Sequence, residues 1–335
     1  MSDPSSTPSV LSRRHFGQLA AAGAALIGFA PSADAADTSL SRVTLRMADY
    51  KAQDALLLKT AKLDDMPYRL SVSEFPSGQA ILEAINAGAV DLGSMSETPP
   101  AFGAAAQADF RIVGVVHDDV NWQVVLVPKG SALRTVADLR GKRVGYVRAT
   151  TTQYYLARML ARAGLSFTDI QATPLGVSEG QAAFDRGSLD AWAIYGYSVP
   201  LAIRDGARVL VTANGYLSGN YLYAASPAAL TDPGRSAAMA DFFVRMRRAY
   251  AWRAANIGAW AAVHSAAIRV PVEIDIDMLT HASAPRDLRP ITDSDVVSAQ
   301  DVADLFGSLG VLPRRVDMAA HFDRRFNAVL AEPPT

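Results

Sequence analysis

Apolar and polar positions along this chain follow two rhythms. VTLRMA (43–48), the alternating YRLSVSEF (68–75), AVDLGSM (89–95), FRIVGVV (110–116) and WQVVLVP (122–128) have the length and spacing of strands. Between the early ones, DALLLKTAKL and SGQAILEAINAG carry apolar residues at helical spacing. Ser77 is placed to cap the second helix and Gly88 to stop it in a left-handed turn. A second series opens near Lys129. TVADLRGKRVGYV predicts a helical turn and a strand, and a helix follows the threonines of VRATTTQYYLARMLARAG (147–164). FTDIQATPLG predicts a strand, VSEGQAAFDRGSLDAWAIY a helix, glycine and strand, and ARVLVT (207–212) closes the unit. After the strand in GNYLYAASPAAL (219–230) the pattern is mainly helical, with Phe242, Met246 and Ala249 in register and a late helix from residues 293–295 to Gly310. Strands alternating with helices predict an α/β fold.

One pattern occurs twice. EAINAGAVDLGSM and AAFDRGSLDAWAI each end a helix at a glycine, Gly88 or Gly187, and start a strand at an aspartate three positions on, Asp91 or Asp190. The echo predicts two similar α/β lobes. The late helices have no strands of their own to cover, so they are expected on the first lobe. Lobe 1 is then residues 43–128 with 219–330, and lobe 2 is 129–218. The chain is expected to cross near Pro128 and again near residues 218–223.

The chain has 335 residues, half of them hydrophobic, enough for two domains. Its formal charge of −1, with no basic run interleaved with aromatics, gives no pull toward nucleic acid. The opening LSRRHFGQLAAAGAALIGFAPSADAAD pairs Arg13 and Arg14, flanked by Ser12 and Phe16, with an apolar run over 19–30 and the small residues Ala33-Asp34-Ala35. It resembles a twin-arginine export signal over residues 1–35, so the mature chain is expected in a periplasm. The absence of cysteine excludes disulfides, thiolate metal sites, a cysteine nucleophile and a cysteine-borne lipid anchor, so no anchor is expected.

The sequence predicts no catalytic residue, metal or cofactor. His15, His117, His264, His281 and His321 are scattered without a zinc-binding pair. His117-Asp118-Asp119 reads as a solvated turn. EIDID (273–277) lacks the glycine and glutamate of a calcium loop and reads as a charged helix face. Phosphate-loop, dinucleotide and nucleophile-elbow motifs are absent.

What stands out is a set of polar helix entrances placed after strands, where open α/β sheets bind ligands. YKAQD, FPSGQ and SMSETPP belong to lobe 1, and RATTTQ, LGVSEG and YGYS to lobe 2. A helix start presents N–H groups and partial positive charge suited to an oxyanion. The candidates are Gln53, Ser94, Ser96, Glu97 and Thr98 on one side. On the other are Arg148, Thr150, Thr151, Thr152, Gln153, Tyr195 and Tyr197. Capping accounts for one threonine and poorly for three in a row. Arg148 and Gln153 either join the site or face solvent, and Tyr195 and Tyr197 either wall a cleft or fill a seam. Trp192 belongs to the core.

Several stretches carry a family likeness. EFPSGQAILEAINAGAVDLGSMSETPPAFGAAAQAD, LVPKGSALRTVADLRGKRVGY, AGLSFTDIQATPLGVSEGQAAFDRGSLDAWAIY and DVVSAQDVADLFGSLGVLP resemble the periplasmic substrate-binding proteins of ABC transporters for aliphatic sulfonates and taurine, within the nitrate/sulfonate/bicarbonate group. The likeness runs from residue 43 to residue 325. It implies a two-lobe type II periplasmic binding protein fold, mixed sheets flanked by helices with the ligand cleft between lobes. It also implies delivery to a permease driven by an ATPase, and a sulfonate held by helix-start N–H groups and hydroxyls at Gln53, Ser96, Glu97, Thr151 and Thr152. The family often has Gly-Asp-Ala-Pro-Pro where this chain has Ser96-Glu97-Thr98-Pro99-Pro100, and Trp-Asp-Pro where it has Tyr195-Gly196-Tyr197. Losing that aspartate removes a partner for a ligand ammonium, which disfavours taurine and favours an uncharged or aromatic tail. The expectation is a monomeric, non-catalytic protein that closes on a small organic anion. Nitrate or a thiamine-related pyrimidine are the alternative cargoes. A sulfinate- or sulfonate-processing enzyme on this fold would need the cysteine nucleophile that the chain lacks.

Overall fold

The computed structural model describes residues 40–332, so the predicted export signal lies outside the described residues. β1 (Thr44–Asp49), α1 (Asp54–Thr60), β2 (Arg69–Glu74), α2 (Gly78–Asn86), β3 (Leu92–Ser96), α3 (Thr98–Ala105) and β4 (Arg111–His117) come first. β5 (Gln123–Val127), β6 (Arg143–Tyr146), α4 (Thr151–Arg162), β7 (Gln171–Pro174), α5 (Val177–Asp185), β8 (Ala191–Tyr195), α6 (Ser198–Arg204) and β9 (Arg208–Thr212) follow. The chain ends with β10 (Asn220–Ala225), α7 (Pro227–Thr231), α8 (Pro233–Ala255), α9 (Ile257–Ile268), α10 (Val272–Thr280), β11 (Asp287–Arg289), α11 (Asp293–Ser308) and α12 (Asn327–Ala331).

These strands form two mixed sheets, ordered β11-β4-β10-β3-β1-β2 and β7-β6-β8-β5-β9. Two expectations need correcting. β5 was placed with the first lobe but pairs with β8 and β9 in the second sheet. The chain therefore crosses over 118–122, not near Pro128, and returns over 213–219. The late helices also bring a strand of their own, because β11 extends the edge of the first sheet along β4.

Apart from β11 the sheets share one layout, β2-β1-β3-β10-β4 against β7-β6-β8-β5-β9. In each, the fourth strand is antiparallel to its neighbours. The repeated Gly–Asp pattern has a structural reason. Gly88 and Gly187 end α2 and the α5 segment at φ +68° and +71°, which a side chain would strain. The following aspartate then receives an arginine from the first strand of the parallel trio in its own sheet, β1 or β6. Asp91 accepts from Arg46 N (2.9 Å), Nε (3.2 Å) and Nη2 (2.6 Å), while Arg46 Nη1 reaches Gly88 O at 2.7 Å. Asp190 accepts from Arg143 N (2.8 Å), Nε (3.1 Å) and Nη2 (2.8 Å), while Nη2 also reaches Gly187 O at 3.0 Å. The arginine thus ties a helix end to two strands in each lobe.

Alternation along β10 divides the first lobe's core. Leu222 and Ala224 pack with Ile81, Leu82, Phe110 and Phe306, while Tyr223 and Ala225 pack with Phe242, Phe243 and Met246 of α8. In the second lobe Trp192 is fully buried against Phe184. Ser77 caps α2 by accepting from Ala80 N at 3.2 Å, and Thr292 with Asp295 forms a capping box at α11.

Candidate ligand-binding site

Both sheets turn one edge toward the seam between the lobes. The C-terminal ends of β1, β3 and β4 and the start of β10 lie on one side. The ends of β6 and β8 and the start of β5 lie on the other. The segments 50–53, 96–98 and 218–221 therefore face 147–153, Gln123 and 195–197.

The threonine run at α4 divides its work. Thr150 is the N-cap: its Oγ1 accepts from Thr152 N at 3.3 Å and donates to Val147 O at 2.8 Å. The Thr152 hydroxyl is fully buried, accepts from Val147 N at 2.9 Å and donates to Val147 O at 2.9 Å. Gln153 Oε1 accepts from Ala149 N at 2.8 Å, which holds Ala149 in a left-handed turn at φ +57°. The Thr150 and Thr152 hydroxyls and Gln153 Oε1 thus shape the loop. Thr151 alone of the three threonines lines the inter-lobe cavity. No acidic residue occupies the first turn of α4, so the helix supplies no side-chain anion of its own to offset its positive end. Arg148 is exposed beside this loop.

Ser96, Glu97 and Thr98 face Thr151 across the cavity. Pro99 and Pro100 follow Thr98 at the start of α3 and carry no N–H, so the donors left at this helix start are those of Glu97 and Thr98. Glu97 is 5% exposed and accepts from Ser218 Oγ at 2.6 Å and from Asn220 Nδ2 at 3.2 Å. Burial pushes its carboxyl up to about 7, opposed by the hydrogen bonds from Ser218, Ser298 and Asn220 and reinforced by the charge of Asp295. Asn220 also bonds Asp295, which Arg289 holds at 2.6 Å. Gln123, Tyr154, Tyr221 and Val302 complete the wall. The space between these side chains is narrow, with room for about one water molecule. Ser94 lies two residues back within β3, paired with Tyr223, and Gln53 begins α1 without a side-chain capping bond.

At the far end, rings from both lobes meet. The Lys51 ammonium lies 5.7 Å from the ring centroids of Tyr50 and of Tyr197. Burial holds the Tyr195 hydroxyl up at about 12, with Tyr50 adding to it. Tyr197 is tied into a buried group the sequence did not reveal. Its hydroxyl donates to Asp275 Oδ1 at 3.0 Å, and Asp275 Oδ2 lies 2.9 Å from His264 Nδ1. His264 stacks on Trp260 at 4.6 Å and approaches Lys51 O at 3.3 Å. The EIDID segment is therefore not simply a charged face, since Asp275 is 1% exposed. Nor is 117–119 a solvated turn. Asp118 pairs with buried Arg286 at 2.6 Å, and Asp119 accepts from Ser283 N at 2.6 Å and Trp122 N at 3.0 Å. These carboxylates pin the first crossing segment.

Polar contacts join the lobes at both rims. Tyr154 Oη donates to Asp301 of α11, joined by Arg158 at 3.1 Å, and Tyr197 reaches Asp275 of α10 on the other side. Gln123, Ser218, Asn220, Tyr221 and Asp301 were missed by sequence reasoning. For the first four the signal available was their position at the starts of β5 and β10, where the chain changes lobe; Asp301, within α11, carried none.

Two sheets of common layout, facing edges and a polar cavity between them define a two-lobe ligand-binding protein. Residues 70–232 match the family model described as NMT1/THI5 like. An Escherichia coli (strain K12) protein described as an aliphatic sulfonates-binding protein is 32% identical over 317 residues, spanning 91% of this chain and 95% of its own. This chain belongs to the family of periplasmic aliphatic sulfonate-binding proteins. The solved structures agree. The periplasmic aliphatic sulphonate binding protein SsuA from Escherichia coli superposes with a TM-score of 0.78 at 31% identity, covering 83% of this chain and 91% of that one. The alkanesulfonate-binding protein SsuA from Xanthomonas axonopodis pv. citri, bound to MOPS, superposes with a TM-score of 0.76 at 31% identity, covering 84% and 98%.

Proposed function

We propose that this protein binds an aliphatic or aromatic sulfonate between its lobes, without catalysis, and hands it to the permease of an ABC importer. The observation that carries the reading is the α4 entrance: a helix start with no internal anion, presenting Thr151 to Ser96, Glu97 and Thr98 of the facing lobe. A sulfonate oxygen suits those N–H and hydroxyl donors, while Tyr50, Tyr195 and Tyr221 supply apolar ring faces for a tail. The cavity has room for one water, so a guest enters only when the lobes part, and it favours closure by bonding to both. The rim contacts from Tyr154 and Tyr197 stabilise the closed arrangement. Micromolar affinity, about −8 kcal/mol, is within reach of a few charge-assisted bonds and a packed tail. We further read the protein as a monomer exported through Arg13 and Arg14, with lobe 1 built from 43–117 and 220–330 and lobe 2 from 123–212.

Calorimetry against alkanesulfonates, benzenesulfonate, taurine, nitrate and pyrimidines tests the reading. Alkane- and arenesulfonates are expected to bind most tightly, and Thr151→Val to weaken them at least about tenfold with little change in melting temperature. Tighter binding of nitrate or a pyrimidine, or turnover of a sulfonate, would overturn it. A single substitution is used because Thr150 and Thr152 also hold the loop.

A further inference from the structure

Glu97 is a buried carboxylate in the lining of the same cavity that Thr151 enters. Its side-chain donors, Ser218, Asn220 and Ser298, are all neutral. The charged groups around it are already committed. From the β11 side, the Arg289 guanidinium is held by Asp295 at 2.6 Å and 2.7 Å, and Asp295 reaches Asn220 at 3.1 Å from behind Glu97, adding a second negative charge there. From α4, the Tyr154 hydroxyl donates to Asp301, which Arg158 also pairs. The α11 residue Ser298 contributes only a hydroxyl. Among the described residues an ionised Glu97 therefore has no cation of its own, which agrees with its upward displacement.

A sulfonate is a permanent anion and has no use for a proton. Setting it in this cavity beside an ionised, unpaired carboxylate would place two like charges in a space from which water is largely excluded. We propose that Glu97 takes up one proton from solvent when the guest anion binds, so that loading of the cleft is linked to pH. The proposal rests on the sulfonate reading above and adds a regulatory property to it. The new O–H donates to a sulfonate oxygen, while the other carboxyl oxygen keeps accepting from Ser218 or Asn220. The sign follows from the raised value. Below about pH 6 the carboxyl already carries its proton and binding is at full strength. As pH rises through 7 and above, binding must recruit the proton and weakens.

The test is calorimetry of propanesulfonate with the full mature protein at pH 7.5, in phosphate and in Tris, whose ionisation enthalpies differ. The dependence of apparent binding enthalpy on buffer enthalpy counts protons. With the free carboxyl titrating at about 7, about three-quarters of a proton per guest is expected. Kd is expected to weaken toward about tenfold per pH unit above 7.5 and to be flat below pH 6. Glu97→Gln, which keeps a donor and removes the titration, should show no uptake and a flat Kd. Binding without proton uptake in the parent protein, or unchanged uptake in Glu97→Gln, would overturn the proposal while leaving the sulfonate reading intact. Failure of every sulfonate to bind would overturn both. The parent measurement decides the matter even if the variant does not fold.

Discussion

At the start of α1, the carboxylate of Asp49 accepts from Tyr50 N at 2.8 Å, Asp54 N at 3.2 Å and Ala55 N at 3.0 Å. At the start of α4, in the equivalent place of the other lobe, the acceptors are the neutral Thr150 and Thr152 hydroxyls and the Gln153 amide. Both loops follow the first strand of a parallel trio and both hold non-glycine residues in left-handed turns, Lys51 and Ala52 in one and Ala149 in the other. One entrance has therefore built in its anion, and the other has only neutral caps. An oxyanion offered to the first must displace or repel Asp49, whereas the second carries no carboxylate of its own. The difference explains why Gln53, next to the filled entrance, is a weaker candidate than Thr151.

The comparison breaks most sharply if the second entrance is given an internal anion. Thr151→Asp is expected to weaken sulfonate binding about a hundredfold or more while leaving melting temperature unchanged or slightly raised, because a carboxylate at a helix start is itself favourable. Calorimetry with retained affinity would show that the guest does not rely on this helix end. A smaller effect follows from emptying the first entrance. Asp49→Ala strips three backbone donors of their acceptor and should cost about 2 kcal/mol in denaturant unfolding. No measurable loss would mean that water replaces the carboxylate freely. The smallest change is expected for Thr150→Ala, which removes an N-cap worth about 1 kcal/mol and should shift sulfonate Kd less than about threefold. A large loss of affinity there would return Thr150 to the list of direct contacts.

Much of the fold was legible because its signals are local. The strand at 43–48, the Ser77 cap and the Gly88 and Gly187 stops depend on side-chain period and backbone preference, which neighbouring residues reveal. The Gly–Asp echo was visible as well, but the arginines that complete it stand 45 and 47 positions from their aspartates. The assignment of β5 was not legible. QVVLV and the preceding RIVGVVH both carry a continuous run of apolar residues and glycine, and nothing within either says which sheet it joins. The site was legible to the level of helix entrances. Which hydroxyl of Thr150, Thr151 and Thr152 points outward depends on the path of residues 147–150, and the burial of Asp275 depends on His264 and Tyr197 arriving from other elements.

The sequence by itself determined the alternation of strands and helices, the repeated lobe plan and the family likeness, because these rest on local propensity and on patterns spread along the chain. The tertiary structure alone decided that β5 joins the second sheet, that Asp275 is buried against Tyr197, and that Glu97 is sealed beside the cavity. Those outcomes come from contacts between residues far apart along the chain, such as Glu97 with Ser218, 121 positions on, and Tyr197 with Asp275, 78 positions on across the seam. A carboxylate's charge and its availability to a guest are set by whatever packs around it, and that is fixed only when the chain closes on itself.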